Sequence, residues 1–148
     1  MKLTGPWNRS AVDDFLTTTV PVRLSCRTPA DHLWMLALWY LWDEEALWCA
    51  TGADADVVRY LDHRDEVAFE VSTNDPPYRG VRGRGHATVD ADADKRLLRR
   101  LLDRYLGGTD SGLARRLLDP DRDEMRLRID PVRLHSWDYS NRMGGDSP

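Results

Sequence analysis

Five arginines carry the chemistry that is easiest to assign from the sequence. Arg79, Arg82 and Arg84 lie close together on one predicted strand, and Arg23 and Arg59 lie in earlier segments. A guanidinium group presents a planar fork of N–H donors that matches the oxygens of a phosphate. These side chains form a phosphate site only if the fold brings them together. Taken singly, each is expected to form a surface ion pair, because the chain has 25 acidic residues.

The junction at residues 51–54, Thr-Gly-Ala-Asp, is a second candidate for binding an anion. It runs from the end of a predicted strand to the start of a predicted helix, where unpaired backbone N–H groups point outward. Asp54 and Asp56 put negative charge in the first turn, which caps a helix but repels a phosphate. The junction therefore combines a favourable backbone with unfavourable side chains.

Other common site patterns are missing from the sequence. The four histidines, His32, His63, His86 and His135, show no HxH, HxxxH or HExxH spacing, which argues against a metal site built from local sequence. GVRGRG lacks the spacing of a dinucleotide-binding loop and is followed by more strand. No serine lies in a GxSxG motif. We therefore predict no metal and assign no catalytic residue.

The run LWMLALWYLW, residues 33–42, is the most unusual stretch of the chain. It is too short for a membrane-spanning helix, which needs about 20 apolar residues, and it lacks the alternation of a strand with one wet face. We interpret it as one strand buried on both faces. The protein's own core would cover one face, and a second subunit or a flat aromatic ligand would cover the other.

Periodicity predicts the elements that position these residues. Apolar residues at helical spacing predict helices near 10–17, 54–63, 92–106 and 111–118, the second capped by Asp54. Strands are predicted near residues 20–26, 33–42, 46–51, 67–72, 78–89, 124–129 and 132–137, with Pro131 separating the last two. Consecutive strands with inserted helices predict an α+β, mainly β barrel rather than a doubly wound sheet.

Length, charge and cysteine content limit the classes of protein that fit. A chain of 148 residues is expected to form one domain. The net charge of −4 gives no general attraction to nucleic acid or to a membrane surface. Residues 1–10 lack the apolar stretch of a signal peptide, so we predict a cytoplasmic protein. Cys26 and Cys49 have no CxxC spacing and are predicted to be reduced thiols in the core.

Four motifs follow one another along the chain: LW at residues 38–39, ATG at 50–52, PPYRGV at 76–81, and IDP with SWDYSNRM between 129 and 143. Together they resemble the pyridoxamine 5′-phosphate oxidase-like, FMN-binding split-barrel family, from about Pro21 to Met143. The resemblance implies a six-stranded split β-barrel with peripheral helices. The single domain would span residues 1–148, with the barrel at 19–139 and a flexible tail at 140–148.

The resemblance also implies a homodimer with FMN, or possibly the deazaflavin F420, in a groove at the dimer interface. Leu38 and Trp39 would flank the ring system. Near the ribityl phosphate or along the groove walls, the resemblance places Arg23, Thr51, Arg79 and Trp137. Family members commonly have a small polar residue and then a basic one in the helix turn after ATG, but this chain has Ala55 and Val57 there.

Loss of that phosphate contact would cost about tenfold to a hundredfold in affinity, unless Arg23 or Arg59 replaces it. The function implied is a flavin- or deazaflavin-dependent oxidoreductase acting on a small organic substrate. The alternative is a non-catalytic binding or sensor protein with the same fold that has lost tight flavin binding and holds no cofactor. Neither alternative involves nucleic acid or a membrane.

Overall fold

An eight-stranded sheet forms most of the structure, which is a computed structural model describing residues 1–143. The strands are β1 (Lys2–Thr4), β2 (Val22–Arg27), β3 (Leu33–Leu38), β4 (Leu41–Asp43), β5 (Ala46–Gly52), β6 (Glu66–Ser72), β7 (Arg79–Ala91) and β8 (Glu124–Asp138). All pairings are antiparallel except that of β1 with β8. Six strands have at least six residues, as the predicted six-stranded barrel requires, and β1 and β4 are three-residue additions.

The order of strands shows that the sheet closes on itself. Along the sheet the order is β3-β2-β6-β7-β8-β5-β4, so β3 and β4 lie at opposite ends. In a flat sheet, six spacings of about 4.8 Å would separate them by about 29 Å. Yet β3 ends at Leu38 and β4 begins at Leu41, a chain distance of at most about 11 Å. The sheet therefore curls into a barrel, and within residues 1–143 its two end strands are not paired.

The apolar run at 33–42 is two strands, so the prediction of one continuous strand is wrong. Trp39 and Tyr40 leave β3 and carry the chain across to β4. Tyr40 is fully buried, and its hydroxyl donates to the carbonyls of Leu16 and Thr18 at 3.1 Å each. In β3, alternate side chains point outward: Leu33 is 74% exposed and Met35 is 62% exposed. The single chain therefore covers only one face of this strand.

Five α-helices flank the barrel within the described residues: α1 (Arg9–Phe15), α2 (Asp56–His63), α3 (Arg96–Leu106), α4 (Gly112–Leu117) and α5 (Ser140–Met143). The prediction that Asp54 caps α2 is wrong, because Ala55 holds the cap position without a side-chain hydrogen bond. The helix predicted from residue 92 begins as α3 only at Arg96, and the Asp92 carboxylate accepts from the amides of Leu97 and Leu98 at 3.0 Å each. None of the helices within residues 1–143 is long and apolar enough to cross a bilayer. Residues 144–148 of the predicted tail lie outside the described residues.

β8 is one strand of 15 residues, so the predicted break at Pro131 is wrong. Its ladder with β7 continues past the proline through a shift in register: Arg84 pairs with Arg133, and Gly85 pairs with Pro131. Val132 is the extra residue of this bulge, and a proline is tolerated there because the ladder is already interrupted. The predicted alternation of β7 is confirmed, with Val81 and Ala87 buried and Arg82, Arg84 and His86 exposed.

Both cysteines are free thiols buried in strands, as predicted. Burial raises the pKa of the Cys49 thiol to about 12 and also raises the pKa of Cys26. Only the thiolate reacts with alkylating agents, and at pH 8 about one Cys49 in ten thousand is ionised. We expect no labelling by iodoacetamide in the native protein and labelling of both cysteines in denaturant, measured by mass spectrometry. Rapid labelling of the native protein would show that the core opens.

Candidate functional site

A groove of about 440 Å³ opens at the split in the barrel, where the end of β3 approaches the end of β5. It is lined by Pro21, Ala37, Leu38, Trp39, Ala50, Thr51, Gly52, Leu98, Leu101, Leu117, Arg122 and Glu124. Three of the predicted cofactor residues, Leu38, Trp39 and Thr51, thus lie together. The volume and the mostly apolar lining are those of a site for a small organic ligand.

Helices α3 and α4 form the floor of this groove. Leu98, Leu102 and Ala114 form a small buried cluster against which Trp39 and Ala50 pack. The spacing of the leucines gives α3 one apolar face, and that face closes the groove.

Trp39 is held in place on its other side by Tyr105. The two rings are stacked, with centroids 5.0 Å apart and planes inclined by 9°. The Tyr105 hydroxyl also accepts a hydrogen bond of 3.2 Å from the Tyr40 amide, so the ring is tied to the backbone that crosses from β3 to β4. The Trp39 wall of the groove is therefore rigid before any ligand arrives.

Arg122 and Glu124 form the polar end of the groove, and sequence analysis missed both. Arg122 Nη2 lies 2.7 Å from Glu124 Oε1, and Glu124 is buried. Gly52 makes room for this arginine, because a Cβ at that position would lie 3.1 Å from Arg122 Nη2. The segment DPDRDE, residues 119–124, has the composition of a solvent-exposed turn. It reaches the groove only because its last residue begins the strand that pairs with β5.

The groove continues past Arg122 into a second cavity of about 450 Å³ at the start of α2. This start-of-α2 cavity is lined by Gly52, Ala53, Asp54, Ala55, Asp121, Arg122 and Asp123. One arginine thus stands among three carboxylates. Val57, at the position where the family commonly has a basic residue, is fully buried in the barrel core. The groove suits a flavin ring, but its end at α2 does not suit a doubly charged phosphate.

A separate pocket of about 610 Å³ lies on the outer face of the sheet. Its charged lining is Arg23, Arg82, Arg84, Arg133, His135 and Glu70, and its remaining lining is Ser25, Met35, Ala68, Phe69 and Gly83. We call it the arginine pocket, after its four arginines. Of the five arginines that would form a phosphate site only if the fold brought them together, Arg23, Arg82 and Arg84 do lie together here.

Strand register explains why these residues meet. Arg23 on β2 pairs with Glu70 on β6, which pairs with Arg82 on β7, which pairs with His135 on β8. In the next row of side chains on the same face of the sheet, Ala68 pairs with Arg84, which pairs with Arg133. Residues directly opposite in a ladder point to the same face. Arg133 and His135 were missed because the register between β7 and β8 is not visible in the sequence.

The arginine pocket and the groove adjoin along β2 and β3. Arg23 pairs with Ala37, which lines the groove. Arg23 Nη1 also donates to the carbonyl of Pro21, another groove residue, at 3.3 Å. Arg23 thus stands at the border of the two sites rather than inside the groove.

The other three predicted cofactor residues lie away from the groove in this chain. Arg59 is on the outer side of α2, where it pairs with Asp56 at 3.1 Å. Arg79 begins β7 opposite Asp138. Trp137 packs against Tyr139 with ring centroids 5.1 Å apart, and its buried indole N–H has no hydrogen-bond partner among residues 1–143. Arg79 and Trp137 could therefore contribute only to the groove of a second subunit, not to the groove of their own chain.

Two further findings concern the predicted chemistry. Within residues 1–143 no three side chains of His, Cys, Asp or Glu are grouped closely enough to hold a metal ion. His86 Nδ1 lies 3.1 Å from Asp65, and His135 Nδ1 lies 2.9 Å from the Thr4 hydroxyl.

Comparison with known proteins identifies the family. The sequence model of the family described as pyridoxamine 5′-phosphate oxidase matches residues 8–143. The chain belongs to this family. A search of curated proteins finds no match.

Solved structures share the fold of this pyridoxamine 5′-phosphate oxidase family member. A conserved hypothetical protein from Mycobacterium tuberculosis has a TM-score of 0.75 and 21% identity, with 90% of this chain and 86% of that chain covered. An F420 reductase has a TM-score of 0.71 and 22% identity, with 87% and 97% covered. A FAD-binding protein from Mesorhizobium loti has a TM-score of 0.62 and 16% identity, with 88% and 93% covered. These similarities show the α+β split-barrel fold.

Proposed function

We propose that this protein is a homodimeric oxidoreductase that binds FMN or the deazaflavin F420 and acts on a small organic molecule. The observation that carries the proposal is the groove at the barrel split, where Leu38, Trp39 and Thr51 meet over an apolar floor. Family membership supports it, as do the similar structures described as an F420 reductase and a FAD-binding protein.

The protein's part in such a reaction is to position the ring and exclude water. A bound flavin or deazaflavin supplies the hydride or electron transfer itself. Leu38 and Trp39 would hold the ring system, and the Thr51 hydroxyl offers both a donor and an acceptor at the rim. The Trp39–Tyr105 stack keeps this wall in place, so little ordering cost remains when a ring binds.

A second subunit would complete the site. Leu33 and Met35 form an exposed apolar stripe on end strand β3. Met35 also lines the arginine pocket, and the last residues of the same strand line the groove. Exposed apolar side chains on an end strand invite association, and a second copy would cover them. The partner's surface around Arg79 and Trp137 would then reach the groove that these residues do not reach in their own chain.

A second candidate function is supported by the start-of-α2 cavity. Its three aspartates oppose a phosphate, and Arg122 is already paired with Glu124. A protein of this fold that binds a small molecule without tight flavin binding, as a sensor or carrier, fits that observation.

Cofactor retention separates the two candidates. The absorption spectrum of the purified protein is recorded after incubation with FMN or F420 and removal of unbound cofactor. We expect retention of one of the two, and we expect Trp39→Ala to weaken its binding about tenfold through loss of the ring contact. Trp48→Ala is the matched control, since Trp48 lies outside the groove lining and should leave binding unchanged. A protein that retains neither cofactor would favour the binding or sensor function.

A further inference from the structure

We infer that the arginine pocket binds an organic anion with at least two negative charges, through its phosphate or carboxylate groups. The assignment of this anion as the molecule that the enzyme acts on rests on the proposed function. The existence of the binding site does not.

The charge of the arginine pocket is the first reason. Four arginines line it with a single glutamate, in a chain whose net charge is −4. Within residues 1–143, none of Arg23, Arg82, Arg84 and Arg133 forms a salt bridge, and Glu70 is the single carboxylate in the pocket lining. The fold has thus concentrated positive charge where its own carboxylates do not neutralise it.

The sheet register places arginines opposite each other, which destabilises the folded protein when no anion is bound. Arg84 and Arg133 are direct ladder partners, which places their Cβ atoms about 5 Å apart, and like charges directly opposite each other are destabilising. Glu70 lies between Arg23 and Arg82 in the ladder, but it accepts a hydrogen bond of 2.7 Å from the Ser72 hydroxyl instead of pairing with either arginine. An anion bound between the guanidinium groups would relieve the repulsion.

The shape and floor of the pocket point to an organic molecule. A volume of about 610 Å³ is that of a small-molecule site. Met35 and Ala68 are exposed and contribute apolar surface to the pocket. Guanidinium forks would bind the anionic groups while the apolar floor accepts the carbon skeleton.

The position of the arginine pocket links it to the groove. Arg23 borders both, through its pairing with Ala37 and its hydrogen bond to the Pro21 carbonyl. An anion held by Arg23 and its neighbours would therefore lie beside a ring bound at Leu38 and Trp39.

Isothermal titration of the cofactor-free protein tests the inference. Pyrophosphate and citrate are titrated at constant ionic strength, one probe for phosphate groups and one for carboxylates. We expect saturable binding of at least one probe. The double variant Arg84→Gln, Arg133→Gln should weaken it about a hundredfold, because each charge-assisted contact is worth about a factor of ten or more. The control Arg115→Gln, Arg116→Gln removes the same charge from exposed positions on α4 and should change affinity less than about threefold.

Preference for pyrophosphate over citrate, or the reverse, identifies the anionic group, and either supports the inference. Failure of both probes to bind the wild-type protein would overturn it, as would equal losses in the two double variants. Binding of a single-stranded oligonucleotide without binding of either probe would overturn it in favour of nucleic acid. Flavin retention without probe binding would overturn the inference and leave the proposed function intact. Probe binding without flavin retention would support the anion site and contradict the proposed flavin-dependent function.

Discussion

Replacing Leu33 and Met35 together by glutamine is expected to raise the dissociation constant of the dimer by at least about a hundredfold. The two side chains are 74% and 62% exposed in the single chain, and a second copy would bury them. Full burial of such a side chain is worth about 1.5–3 kcal/mol. In a dimer of identical copies each substitution is present in both subunits, so its effect on the dimer is doubled. A loss of only about 1 kcal/mol per side chain already exceeds a hundredfold. Sedimentation equilibrium across a concentration series measures the change.

The control for this experiment is the double variant Leu106→Gln, Leu113→Gln, which makes the same kind of substitution elsewhere on the surface. Leu106 and Leu113 are also exposed, at 41% and 40%, but they lie on α3 and α4, away from β3. It should leave the dissociation constant within about threefold of wild type. A wild-type chain that sediments as a monomer at micromolar concentration would refute the homodimer, and a dimer unaffected by the Leu33 and Met35 changes would place the interface elsewhere.

Gly85→Ala is expected to lower the free energy of unfolding by about 3 kcal/mol or more. A Cβ at Gly85 would lie 2.1 Å from the backbone oxygen of Asp130 and 2.9 Å from the Cα of Pro131. Neither atom belongs to a flexible side chain, because both are part of the β8 backbone at the bulge. To accept the methyl group the two longest strands would have to separate locally. Urea unfolding measures the change from the shift in midpoint at constant slope.

Gly112→Ala is the matched substitution at a site without such a contact. Gly112 begins α4, and the nearest heavy atom to an added Cβ is the end of the Arg116 side chain at 3.7 Å. Alanine should be neutral there or stabilise by up to about 1 kcal/mol, because it reduces the entropy of the unfolded chain. A Gly85→Ala protein as stable as wild type would show that the strands at the bulge can separate without cost.

Local patterns were sufficient for most of the elements. The leucines of α3, the alternation of β7 and the buried cysteines follow from periods of 3.6 and 2 that are written in neighbouring residues. The Asp54 cap failed for an equally local reason, because the helix begins one residue later and leaves Ala55 in the cap position. The run at 33–42 failed for a different reason. Nothing within ten apolar residues tells where a barrel must close, and closure broke the run at Trp39 and Tyr40.

The sequence by itself determined the family, through the order of its motifs, and most of the helices and strands, through local periodicity. The grouping of Leu38, Trp39 and Thr51 at one site was implied only by the resemblance to the family. Only the tertiary structure decided that Val57 is buried in the core, that Arg122 reaches the groove across Gly52, and that Arg133 joins Arg84 in one pocket. Each of these depends on which distant strands pair and in what register. Register is set by the packing of the whole barrel, and a shift of one residue would turn every side chain to the opposite face.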